Sequence, residues 1–237
     1  MSKLNRRQLI QHGIYGLAAG GFVSLTLRAD AEPTEATRDV HDYQAFLDEN
    51  GIPKVQPAAA WERSYEDILG PFYLSGAPFR GKVTPPLEPG DLLVIRGRIW
   101  GHDVKKPLAN ALLDVWQADA NGRYDMNDLR NPPPRGEFKN RIRLVADETG
   151  FYEYETIRPA AYRIGRGRQA FRPAHIHYMV QAPGYKKLIT QLYFKGDPYL
   201  KVDRFARNSN LIIQPQLVKV PAGSYQRGTF DLVLAPA

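Results

Sequence analysis

Arg172-Pro173-Ala174-His175-Ile176-His177-Tyr178, RPAHIHY, is the stretch on which the reading of the chain turns. Read as a strand, it sends alternate side chains to opposite faces, so His175 and His177 point the same way from positions roughly 6 to 7 Å apart along the backbone. Two imidazoles on one face can share a metal ion. The plainer reading of a bare His-x-His is one histidine hydrogen-bonded in a core and the other half exposed.

The sequence on either side has the texture of a β-sandwich. From Asp91 onward, short β-rich runs alternate with turn signals. The expected strands are Leu92 to Trp100, Ala111 to Ala118, Arg141 to Ala146, Phe151 to Ile157, Ala174 to Gln181, Leu188 to Phe194, Leu211 to Val220 and Thr229 to Leu234. Turns are expected at Lys106-Pro107, Asp147 to Gly150, Pro183-Gly184 and Pro221 to Gly223, and Asn131 to Arg135 (NPPPR) reads as a stiff proline turn. No segment of this half carries sustained helical periodicity. Upstream, short helices are expected around Asp42 to Asp48, stopped by Gly51 and Pro53, and around Ala58 to Ile68, stopped by Gly70-Pro71. The expected class is therefore all-β: a β-sandwich core over residues 91–237, with an N-terminal arm of short helices and loops over 32–90.

A length of 237 residues suits one generous core, and 19 prolines with 20 glycines suit a fold rich in strands and loops. The absence of cysteine excludes disulfides, thiolate zinc sites, iron–sulfur clusters and a cysteine nucleophile. Any metal must be held by His, Tyr, Asp or Glu. Residues 1–31 read as a cleaved export signal: basic Lys3, Arg6 and Arg7, a mildly apolar run from Gly13 to Leu27, and the small-residue site Ala29-Asp30-Ala31. NRRQLIQ (Asn5 to Gln11) looks like a twin-arginine signal, which implies the export machinery as a transient partner and a periplasmic location. That segment carries +3 of the formal +7, leaving +4 on the other 206 residues, too small a surplus to argue for nucleic acid. No RNP-like or zinc-finger pattern is present either.

Tyr124 lies just past an expected strand and an Asn-Gly turn in DVWQADANGRYD (Asp114 to Asp125), and Tyr162 just past a strand and a proline in TIRPAAY (Thr156 to Tyr162). Singly, each tyrosine reads as a packing residue with a wet hydroxyl. Grouped with His175 and His177, they would offer two phenolates and two imidazoles, a set that favours ferric iron over zinc or copper(I).

These segments carry a resemblance. GPFYLSGAP (Gly70 to Pro78), PLANALLDVWQADANGRYD, ADETGFYEYETIRP, RPAHIHY and LITQLYFKGDP (Leu188 to Pro198) follow in this order, and together they resemble the intradiol ring-cleavage dioxygenases, a non-haem iron(III) family. The resemblance implies one Fe(III) per chain, with Tyr124 and His175 as equatorial ligands, Tyr162 and His177 as axial ligands, and a hydroxide completing the site. It implies a catechol-type substrate and O2, ring opening between the two hydroxyl-bearing carbons, and a cis,cis-muconate-type product. Catechol would displace the hydroxide and Tyr162, and these anions would take its protons. Arg172 would stabilise charge developing on the ring, with Gln191 behind the ligands; the structural reading of Arg172 is an ion pair.

Where many relatives follow the second tyrosine with proline and an aromatic residue, this chain has Arg163-Ile164. The run Arg163, Arg166, Arg168 could attract a carboxylated catechol or form a solvated basic loop. All four ligands lie on one chain, so a homo-oligomer would need no partner subunit. The competing expectation is a non-catalytic transthyretin-like or carboxypeptidase-regulatory-like sandwich, whose signature shares RGRIWGHDVKKPLANALLDVW but has no use for the four ligand residues.

Overall fold

Leu93, Ile95 and Ile99 alternate inward along β1 (Leu92–Gly101), the longest strand and the axis of the first sheet. One edge of β1 pairs antiparallel with β5 (Phe151–Ile157) and β2 (Lys106–Pro107). The other pairs in parallel with β12 (Gly223–Thr229) and β13 (Leu232–Leu234), and β12 carries β11 (Gln216–Val220) at the sheet edge. The interruption between β12 and β13 follows from Gly97. A Cβ at Gly97 would stand 2.0 Å from the Phe230 carbonyl oxygen, so only glycine lets the two backbones approach there.

The structure, a computed structural model, describes residues 62–126, 137–165, 171–206, 209–221 and 223–237. The second sheet runs in the order β10 (Ile212–Ile213), β9 (Leu188–Phe194), β8 (His175–Gln181), β3 (Leu112–Gln117) and β4 (Arg141–Val145). A small ribbon pairs β6 (Tyr162–Arg163) with β7 (Phe171–Arg172). Leu113, Val115, Ile176, Tyr178, Val180 and Leu192 of the second sheet pack with Leu93, Ile95, Ile99, Tyr152 and Tyr154 of the first, forming the sandwich core. Each such aliphatic side chain contributes about 1.5 to 3 kcal/mol by burial. The Tyr154 and Tyr178 hydroxyls meet across this interface in a hydrogen bond.

The all-β expectation holds, and the differences lie in connections. Leu211 to Val220 is not one strand: Pro215 interrupts it, so Ile212–Ile213 pairs with β9 while Gln216–Val220 pairs with β12 in the other sheet. Lys106-Pro107 is strand rather than turn, because the chain reverses over His102 to Lys105, where Lys105 takes a φ of 51°. The helix expected over Ala58 to Ile68 is absent from its described part, Glu62 to Ile68. Its backbone groups bond the sandwich instead: Ser64 N–H donates to Val233 O (3.0 Å), and Asp67 N–H to Ile189 O (2.9 Å). The signal segment at 1–31, the helix at Asp42 to Asp48, the proline turn at Asn131 to Arg135, and Arg166 and Arg168 lie outside the described residues.

β8 is buried at six successive positions from His175 to Val180. A strand of a two-sheet sandwich ordinarily alternates, so its second face must be covered by something else. Leu69, Phe72 and Tyr73 from the N-terminal segment, with Tyr124, Tyr162 and Ile189, pack there against Trp116 and Met179. The candidate site lies under this cover.

Candidate metal centre

Cross-strand register builds the site. His177 stands opposite Trp116 on β3 and Gln191 on β9, and His175 stands opposite Tyr193. Residues directly opposite share a face, so all five project from the covered side of the second sheet. Trp116 lies flat on His177, with ring centroids 4.8 Å apart and planes 3° apart. His175 and His177 present their Nε2 atoms to each other at 3.1 Å.

Two loops bring in the tyrosines. The Tyr124 ring lies 5.5 Å from Tyr162 and 6.2 Å from His177, and the Tyr162 ring lies 5.4 Å from His175. Phe72 stacks on Tyr124 at 4.1 Å and meets Tyr162 edge-on at 6.1 Å. Tyr124, Tyr162, His175 and His177 are thus gathered in one place. Gly70 runs directly over His177: with φ at 72°, a Cβ there would meet His177 Cε1 at 3.1 Å.

Burial sets the protonation states. His175 is pushed down to about 3 by loss of solvent and by the nearby Arg172 cation. His177 is held well below its ordinary value by the same loss of solvent, with His175, Arg172 and Arg141 adding to it. Both imidazoles are therefore neutral and free to donate lone pairs. His175 Nδ1–H donates to the Pro173 carbonyl at 2.6 Å, which leaves Nε2 of His175 as the lone-pair atom. Burial pushes Tyr124 well above the ordinary phenol value, and it raises Tyr162 despite the opposing pull of Arg172. A phenolate at Tyr124 consequently needs a cation to offset the loss of solvent.

The donors fit a metal ion. Tyr124 Oη is buried without a hydrogen bond of good geometry, although the Tyr162 hydroxyl is close enough to affect its titration. Two nitrogens 3.1 Å apart have the spacing of adjacent ligands on one ion with bonds of ~2.1 Å. No group of three His, Cys, Asp or Glu able to hold a metal ion occurs among the described residues, and the donors gathered here are two imidazoles and two phenols. Two phenol oxygens that a bound cation would hold as hard anions, beside two imidazoles, suit a trivalent ion such as Fe(III).

Arg172 is at once the ion pair and a neighbour of the centre. Its Nε donates to Asp203 Oδ2 (2.5 Å), and one Nη donates to Gln191 Oε1 (2.7 Å) and Tyr193 Oη (2.9 Å). Burial alone would lower its pKa, but Tyr193, Asp203 and Tyr162 outweigh this and raise it. Gln191 Nε2 donates to Ile68 O at 2.8 Å, and Tyr193 donates to Asp67 Oδ2 at 2.7 Å, tying the arginine to the N-terminal segment. Arg163 stays outside this group. It is exposed, its Nε donates to Gly165 O (2.6 Å), and its guanidinium lies over the Phe171 ring at 5.8 Å.

Sequence reasoning missed Trp116, Tyr193, Asp203 and the Gly70 contact. Trp116 has a readable signal, since it shares a strand with the expected Tyr124 loop. The others depend on register and on chain crossings that no local pattern encodes.

A sequence model described as dioxygenase matches residues 68–236. A catechol 1,2-dioxygenase 2 of Acinetobacter lwoffii is 39% identical over 160 residues, which cover 61% of this chain and 56% of that protein. This chain thus spans little more than half the length of that relative. A chlorocatechol 1,2-dioxygenase of Rhodococcus opacus is 36% identical over 186 residues, 70% of each protein. The crystal structure of 3-chlorocatechol 1,2-dioxygenase from Rhodococcus opacus 1CP superposes with a TM-score of 0.64 at 25% identity, covering 86% of this chain and 90% of that one.

Proposed function

Because the chain belongs to the dioxygenase family, we propose that it is a non-haem Fe(III) intradiol dioxygenase. It opens a catechol-type ring between the two hydroxyl-bearing carbons with O2, giving a cis,cis-muconate-type product. The observation that carries this reading is the convergence of His175 Nε2 and His177 Nε2 at 3.1 Å with the rings of Tyr124 and Tyr162 around them.

Tyr124, Tyr162, His175 and His177 are the residues that would hold the ion. Ferric iron there would supply a Lewis acid able to bind both oxygens of a catechol and open its ring to O2. Tyr162, at the mouth of the β6–β7 ribbon, is less enclosed than Tyr124, and held as a phenolate by a bound cation it would be the ligand suited to take a catechol proton and become a neutral phenol. Trp116 and the Pro173 carbonyl hold the two imidazole planes, so the nitrogens stay aimed at one point. Arg172 offers a fixed cation whose geometry is set by Asp203, Gln191 and Tyr193 before substrate arrives. Leu69, Phe72, Tyr73 and Ile189 exclude water from the same face.

The test is oxygen uptake by iron-loaded protein given catechol, with the muconate-type product identified. Tyr162→Phe and His175→Ala are each expected to lower uptake by more than about 100-fold. Full uptake in both variants would contradict the assignment. A catechol that binds without any oxygen consumption by the unsubstituted protein would point instead to a binding module.

A further inference from the structure

Arg141, Trp116, His177 and Gln191 form a straight row across four strands of the second sheet, each directly opposite the next. Gln191 ends the row on the Arg172 side. Arg141 ends it on the other, and nothing in the proposed chemistry uses it.

Arg141 is 2% exposed, a deeply buried cation. It makes a two-pronged ion pair with Asp125: Nε donates to Oδ2 at 2.9 Å, and Nη2 bonds Oδ1. Its remaining Nη1 donates to the carbonyl of Phe72 at 2.8 Å. Asp125 also accepts the Lys139 N–H at 3.0 Å. Both partners of Arg141 bear on one ligand. Asp125 is the residue next to Tyr124, and Phe72 is the ring stacked 4.1 Å from Tyr124.

We propose that Arg141 is a positioning residue for the Tyr124 ligand, clamping the backbone on one side of that ring through Asp125 and the ring's stacking partner on the other through Phe72. The clamp rests on Tyr124 being a metal ligand. Its physical need is clear, because Tyr124 is carried by a loop and its hydroxyl has no hydrogen bond of good geometry among the described residues to fix it. A bidentate guanidinium–carboxylate pair has one geometry, and anchoring it on β4 transfers the rigidity of the sheet to the loop. Arg141 is not a substrate hook, since Nε and both Nη groups are already committed. Lysine could not replace it, because a point charge cannot hold Asp125 in two-pronged fashion while reaching Phe72 O.

The experiment uses the full chain loaded with Fe(III), comparing the parent with Asp125→Asn, Arg141→Lys and Arg141→Met. Each is read by the visible tyrosinate-to-iron band, by iron retention against a competing chelator, and by melting temperature. The expected result is a shifted or weakened band and a loss of iron affinity of about 10- to 100-fold in all three. Asp125→Asn keeps the shape of the buried pair and covers the case in which the arginine variants do not fold. Lowered melting temperatures with an unchanged band and unchanged affinity would overturn the proposal and leave a purely structural ion pair. A parent protein that shows a band while every variant matches it fails the clamp alone. A parent with no band fails the ligand reading and the clamp with it.

Discussion

His175 carries its own orienting device: the Pro173 carbonyl two residues away accepts its Nδ1–H, so the tautomer is set locally and Nε2 is left facing His177. Burial exacts a cost for this arrangement in the metal-free protein. An unfolded histidine takes a proton near pH ~6.5, whereas folded His175 resists until about 3. Between those values the unfolded chain binds the proton and the folded one does not. Stability therefore falls as pH falls, by ~1.4 kcal/mol per pH unit for His175, and His177 adds in the same direction. Melting temperature of the metal-free protein should drop steadily from pH 6.5 to 4.5, and His175→Gln should flatten part of that slope. A variant whose profile parallels the parent would refute the assignment of the slope to this residue. At this scale the sequence was informative about identity and poor about company. Tyr124, Tyr162, His175 and His177 stand out in segments that can be read in order. Tyr193, Asp203 and the Asp125–Arg141 pair meet the site only through register or through contacts 16 to 31 positions apart, which no local pattern encodes.

β8 shows why the element scale matters. Its alternation is real, yet the strand is buried on both faces, because the segment from Glu62 to Tyr73 closes what would be an open side. That segment is stitched to β9 by Thr190 Oγ1 donating to Tyr65 O (2.8 Å) and Gln191 Nε2 donating to Ile68 O (2.8 Å). Local propensity favours a helix there, and these long-range bonds win because they satisfy backbone groups that a short helix end would leave unpaired. By contrast, Phe151–Ile157 and Leu188–Phe194 form at the bounds their patterns suggest, since both faces of the argument, turn and alternation, agree. Gly70 offers a test of the cover. At φ 72° its replacement by alanine costs about 1 to 2 kcal/mol in strain, and the new methyl also presses on His177. Gly184, at φ 80° with open space around it, supplies the control. Both Gly→Ala variants should lose stability in urea through backbone strain, Gly70→Ala at least as much as Gly184→Ala, and only Gly70→Ala should release bound iron faster. Equal iron retention in the two would show that the strap does not bear on His177.

At the scale of the whole molecule, the two sheets divide the labour. The first sheet and the inner faces of both make the core, while the outer face of the second sheet is given over to one aromatic and imidazole cluster. The sandwich was legible from strand spacing and turn residues alone. Its sheet-to-sheet crossing at Pro215 and the glycine-dependent approach of Phe230 to β1 were not, because both depend on which strands become neighbours. Among the described residues, the two buried arginines at the site are each paired with a carboxylate, Arg141 with Asp125 and Arg172 with Asp203. The central proposal is that two phenols and two neutral imidazoles would hold one ferric ion. The most direct measurement is the visible absorption spectrum of the purified chain, before and after addition of iron. A broad tyrosinate-to-Fe(III) band that saturates at one iron per chain, and that shifts and weakens in Tyr124→Phe, is the expected result. A protein that stays colourless after iron is added, or a band unchanged in Tyr124→Phe, would contradict it.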